Sequence, residues 1–213
     1  MSETDAIGAR LTRLDDSTRS LVRLAAALAG GSEEQVRRHL NEAQGATPPV
    51  WIEELLLQTY LFAGFPRALN GMREWRRLRP APAAAAEESL QAPQLRRLGE
   101  TTCATVYGTM YERLRANIRQ LHPLMDDWMI VEGYGKVLSR PALDLPRREL
   151  CIVAACAATA QDRQLQSHLH GALNAGVAPS IVSDALASME GVIPESALAR
   201  ARRLWDRIRN DVH

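Results

Sequence analysis

The chain has 213 residues, with 26 Lys plus Arg against 25 Asp plus Glu and a formal charge of +1. That balance leaves no basic excess for nucleic acid or an anionic membrane, and the length suffices to bury a core without a disulfide or metal staple. Three cysteines, an acidic start from Met1 to Asp5, and a short first apolar stretch broken by Arg23 lead us to expect no leader, no membrane span and a reducing cytoplasm.

Ala, Leu, Arg, Glu and Gln dominate and no period-two alternation runs along the chain, so the pattern predicts an all-α fold. Helices are expected over 17–29, 33–44, 49–62, 66–77, 95–121, 124–138, 146–160, 163–175, 179–188 and 195–210. Punctuation supports several of them. Asp144 can cap a helix with Pro146 in its first turn, Gly176 can close another in a left-handed conformation, Pro179 can open the next, and His122-Pro123 marks a break. The stretch from Arg79-Pro80-Ala81-Pro82 to Pro93 reads as a linker, dividing the chain into an N-terminal repeat over 1–79, a connection over 80–94 and a C-terminal repeat over 95–213.

The flanks look like versions of one another at a period of about 130 residues. Matching Leu21 to Leu150 sets Ser20 on Glu149 and His39 on His168. Matching Gly45 to Gly176 sets Thr18 on Glu149 and Arg37 on His168. Both registers stand open at this level, and in both the first copy lacks the acid.

In the C-terminal copy, a hairpin turning near Ala160 puts Glu149 about eleven residues before the turn and His168 about eight after it. At 1.5 Å per residue these are heights of roughly 16 and 12 Å, so the two side chains lie within about one turn of each other on facing helices. A carboxylate beside an imidazole fixes its tautomer and prepares a general acid/base, although a buried histidine satisfied by a carboxylate is the plainer reading. His170 falls on the other face. No spacing of His, Cys, Asp and Glu suits a metal, so none is expected. Cys151 and Cys156 read as small buried hydrophobes. Tyr107, Tyr111, Trp128 and Tyr134 are either pocket walls or core, and the cations from Arg73 to Arg79 suit the negative end of a helix.

Three stretches carry a family likeness: Arg148-Glu149-Leu150, Ser167-His-Leu-His-Gly-Ala-Leu-Asn-Ala-Gly176, and the first copy's Glu54-Leu-Leu-Leu-Gln-Thr-Tyr-Leu-Phe-Ala-Gly-Phe-Pro-Arg-Ala-Leu-Asn70. Together they resemble the carboxymuconolactone decarboxylase-like family, whose superfamily includes alkylhydroperoxidase D. The resemblance implies a helical fold that self-associates, as a homohexamer of single copies or a homotrimer of duplicated ones. The redox branch carries a Cys-x-x-Cys between the glutamate and histidine that match Glu149 and His168. Here those two positions are Gln161 and Gln164, so no thiolate or disulfide is available.

That departure moves the chain toward the cysteine-free branch. The resemblance there implies cofactor-independent lyase or isomerase chemistry on a small carboxylated lactone. Glu149 and His168 would move protons, and Arg163, Gln164 and Tyr134 would bind substrate. A non-catalytic oligomeric binding or assembly protein of the same fold is the alternative, with a peroxidase or disulfide reductase behind it.

Overall fold

A computed structural model describes residues 10–83 and 90–211. Those residues fold as helices, the sole β feature among them being a parallel bridge between Leu11 and Val177. The all-α expectation is met.

The first repeat supplies α1 (Asp16–Gly30), α2 (Glu33–Ala46), α3 (Pro49–Ala63) and α4 (Phe65–Leu78). A middle segment follows as α5 (Ala92–Tyr107), a 3-10 turn (Gly108–Met110), α6 (Tyr111–Leu121), α7 (Pro123–Trp128) and a π-helix (Met129–Leu138). The second repeat supplies α8 (Leu145–Ala158), α9 (Asp162–Asn174), α10 (Pro179–Ser188) and α11 (Glu195–Asp211). Part of the expected linker, 84–89, lies outside the described residues, and its last residues already belong to α5.

At the centre α1 and α8 run side by side in the same direction. Arg147 fastens their starts: its guanidinium reaches Asp144 Oδ2 at 2.6 Å and Asp15 Oδ2 at 2.8 Å, and these two aspartates are the N-caps of α8 and α1. At the far ends, a Cβ on Gly30 would stand 2.9 Å from the Ala158 carbonyl, so the two helices touch there. Leu21, Leu24 and Leu28 on α1 and Leu150, Ile152 and Val153 on α8 are all at most 1% exposed. Each such side chain contributes roughly 1.5–3 kcal/mol through removal from water.

The N-caps also fix the register between the copies. Asp15 pairs with Asp144 and Ser32 with Gln161, 129 positions apart in each case. His39 therefore corresponds to His168, and Ser20 to Glu149. The Gly45 match fails because Gly45 lies inside α2, whereas Gly176 lies beyond α9 at φ 93°.

Two expected helices are interrupted. The helix expected over 95–121 breaks where Gly108 takes φ 51°, a conformation that costs little only without a Cβ. The one expected over 124–138 widens into the π-helix, which packs closely against α5. A Cβ on Gly99 would lie 2.0 Å from the Ile130 carbonyl oxygen, and one on Gly135 would lie 2.1 Å from that of Leu95. Only glycine at both positions permits backbones this close.

Candidate active site

Glu149 sits on α8 and His168 on α9, the two arms of the second repeat's hairpin. Glu149 Oε2 lies 2.8 Å from His168 Nδ1, Glu149 is wholly buried, and His168 is 4% exposed. Near-equal distance from the turn thus brings the two into direct contact. Gly171, almost one turn beyond His168 on α9, makes room for the carboxylate: a Cβ there would stand 2.6 Å from Glu149 Oε2 and 2.7 Å from Val106 Cγ1. Glu149 Oε1 is buried with no hydrogen-bond partner among the described residues.

Two aromatic rings flank the imidazole and a third stands behind one of them. Phe62 on α3 meets it edge-on with centroids 5.5 Å apart, and Tyr107 on α5 lies 6.5 Å away at 64°. Tyr134, carried by the π-helix, stands 6.3 Å from Tyr107 and is 4% exposed. Burial pushes the Tyr107 phenol up to about 12, helped by the charge of Glu149, and carries Tyr134 well above the ordinary tyrosine value. Both are neutral O–H groups at physiological pH. The close packing of Gly99 and Gly135 is what lets the π-helix bring Tyr134 beside Tyr107.

The other residues singled out in the sequence lie elsewhere. Arg163 and Gln164 are exposed in the first turn of α9. Trp128 is 57% exposed, and the Tyr111 hydroxyl accepts from Arg115, so neither walls the pair as Tyr107 and Tyr134 do. His170 is exposed on the far face of α9. All three cysteines are buried and free, and burial pushes each thiol up to about 12. No cluster of three His, Cys, Asp or Glu suited to a metal occurs among the described residues. No helix among them is long and apolar enough to cross a membrane.

Sequence reasoning missed a buried ionic group one residue before Glu149. Arg148 is fully buried and donates from Nη2 to Glu54 Oε2 at 2.7 Å. Arg140 forks onto the same carboxylate, from Nη2 to Oε1 at 2.8 Å and from Nε to Oε2 at 2.9 Å. Burial alone would raise the Glu54 carboxyl, but the hydrogen bonds and charges of Arg140 and Arg148 outweigh it and hold the group below its ordinary value. The signal was present in the stretch from Glu54 to Asn70, where Glu54, Gln58 and Phe62 recur every four residues.

The first repeat has a different pair. His39, 1% exposed, has its Nδ1 2.8 Å from Glu42 Oε2 on its own helix, and its Nε2 is buried without a partner among the described residues. Burial lowers its pKa. Position 42 corresponds to Gly171, so the carboxylate has moved from the first helix of the hairpin to the second.

The family described as the carboxymuconolactone decarboxylase family matches residues 4–77 and 127–206, once in each repeat. Peroxisomal protein 2 of Schizosaccharomyces pombe is 29% identical over 140 residues, which cover 63% of this chain and 64% of that protein. No solved structure matches.

Proposed function

Because this chain belongs to the carboxymuconolactone decarboxylase family, in duplicated form, we propose that Glu149 and His168 are a proton-transfer pair acting, without a cofactor, on a small carboxylated lactone. The observation that carries the reading is the carboxylate with one oxygen bound to His168 and the other buried and unpartnered. The carboxylate accepts from Nδ1–H, which fixes the tautomer with its lone pair on Nε2. In a decarboxylation, the bond to the leaving carboxylate breaks, its electron pair moves into the conjugated lactone as an enolate, and CO2 departs. His168 Nε2 takes a proton from water and delivers it to carbon, returning to the same neutral tautomer. Tyr107 and Tyr134, as neutral phenols, stabilise the developing enolate oxygen by donating to it. Arg163 and Gln164, one turn or more before His168, receive the substrate carboxylate where it arrives from solvent.

The test is CO2 release from 4-carboxymuconolactone by the purified chain. Turnover is expected in the wild type, with a fall of about 10²-fold or more in Glu149→Gln and His168→Gln. A wild type that releases no CO2 above background overturns this substrate assignment.

One observation favours a second reading, an oligomeric binding or assembly protein: the pair is closed to solvent while large apolar side chains are not. Phe65 is 61% exposed and Leu69 49% on α4, and Leu121 is 77% exposed at the end of α6. Under either reading the chain pairs with itself through these faces, as a homotrimer. A thiol peroxidase is the least supported reading, given three buried thiols held near 12. For location we retain the cytoplasm, with the organelle in the relative's name as the alternative that cell fractionation decides.

A further inference from the structure

We infer that the site is composite: one face of α3 in the first repeat, carrying Glu54, Gln58 and Phe62, positions the Glu149–His168 pair of the second. The chemistry assigned to that pair rests on the function proposed above, but the positioning does not.

Three residues at i, i+4 and i+8 lie on one side of a helix, and here each holds a different part of the second repeat. Glu54 holds the Arg148 guanidinium. Gln58 binds Arg148 twice, donating from Nε2 to the backbone oxygen at 3.1 Å and accepting from Nη1 at 3.3 Å. Arg148 also donates to the carbonyls of Leu143 and Arg140, both at 3.0 Å, which ties the approach to α8 into the same group. The backbone that leads into Glu149 is thereby fixed through both the side chain and the carbonyl of Arg148. Phe62 then closes on the imidazole itself.

The related place in the other copy, where α1 meets α10, lacks these parts. Arg19 there is exposed where Arg148 is buried, and Ser20 replaces Glu149. α10 starts 130 positions after α3, so Asp184 and Ser188 stand for Glu54 and Gln58. Asp184 is exposed, and the contact is made instead by Arg23 Nη1 donating to the Ser188 carbonyl at 2.6 Å. A carboxylate on the first helix of the hairpin and the Glu/Gln face of the opposite repeat occur together on one side, whereas on the other His39 pairs within its own helix with Glu42 and both of those parts are missing. That joint pattern is the mark of a single functional unit, and Glu54, Gln58 and Phe62 are its positioning residues.

The test reads the hydrogen bond itself, without substrate. In the full-length wild type, the His168 Nδ1 proton should give a downfield resonance in slow exchange with water, assigned by its loss in His168→Gln. Glu54→Gln should raise its exchange rate tenfold or more at unchanged helical content. Glu53→Gln is the control: it removes a neighbouring buried carboxylate, which accepts from Trp75 Nε1 and from Arg76, and should leave the resonance in place. Should Glu54→Gln fail to fold, Gln58→Met and Phe62→Leu keep the Glu54–Arg148 pair and should each speed the exchange. A folded Glu54→Gln protein with wild-type exchange overturns the inference, as does an equal effect of Glu53→Gln, or wild-type exchange in both of the other variants. A silent lactone assay alongside the expected exchange effects removes the proposed substrate and leaves the positioning role standing.

Discussion

Gln58 and Arg148, 90 positions apart, exchange hydrogen bonds in both directions, amide to backbone carbonyl and guanidinium to amide oxygen. Arg148→Met deletes the guanidinium half of this exchange, keeps the bond to the backbone carbonyl, and leaves Glu54 buried with Arg140 as its remaining cation. Breaking a buried ion pair from one side costs about 3–5 kcal/mol, and Arg140 places the loss toward about 3. Urea denaturation should report it, whereas Glu33→Ala, which breaks the exposed pair of Glu33 with Arg37 at 3.4 Å, should cost less than about 1 kcal/mol.

Glycine substitutions should separate sharply by position. Gly99→Ala and Gly135→Ala drive a methyl into backbone oxygens that cannot yield, and each should lower stability by about 3 kcal/mol, the upper end for overpacking. Gly171→Ala meets the ends of Glu149 and Val106 side chains, so its damage should be smaller overall but concentrated in the pair. Gly45→Ala, with nothing within 4 Å of the new Cβ and a helical position in α2, should stabilise by about 0.4–1 kcal/mol. Thermal melts of the four variants decide the ranking.

The thiols should be silent in the native protein. With Cys103, Cys151 and Cys156 buried and raised to about 12, an aromatic disulfide reagent at pH 8 should react only after denaturant is added, and then with three equivalents. Linkage gives the sign at alkaline pH. A thiol ionises near 9 when unfolded and near 12 when folded, so its contribution is complete below 9 and is lost as pH rises through that window. Melting temperatures should fall from pH 9 to 10.5, and less steeply in Cys103→Ala.

At the acid end the sign reverses. Arg115 bonds hold Asp126 below its ordinary 3.8, and Arg140 and Arg148 hold Glu54 below its ordinary 4.5 against the upward push of burial. Each carboxylate contributes stability that is complete above its unfolded value and is lost as pH falls through the depressed folded value. Urea midpoints should begin to decline as pH falls through 6.5, where unfolded His39 takes up a proton that the buried side chain refuses, and fall more steeply below about 4.5. Glu54→Gln should show a shallower fall over that range.

The helices were legible because their ends carry chemistry that acts within four residues: Asp144 bonds Arg147 N at 3.0 Å, and Gly176 turns left-handed after α9. The Glu149–His168 contact was legible because a hairpin makes distance from the turn a measure of height. The π-helix was not, since its apolar residues Ile130, Tyr134, Val137 and Leu138 fit an ordinary helical stripe equally well. The role of Glu54 was hidden for another reason. Its partners are 86 and 94 positions away, and no local periodicity encodes which repeat a helix will face.

The π-helix also makes part of the site sensitive to a change of one codon. Each residue added to or removed from an α-helix turns everything beyond it by about 100°. Inserting a single residue between Met129 and Gly133 would swing Tyr134 away from Tyr107. The same insertion would take Gly135 off Leu95, so helix packing and the aromatic wall would fail in one step. Reading frame could be kept, helical content could be kept, and every side chain named above could still be encoded. What such an allele loses is angular phase alone.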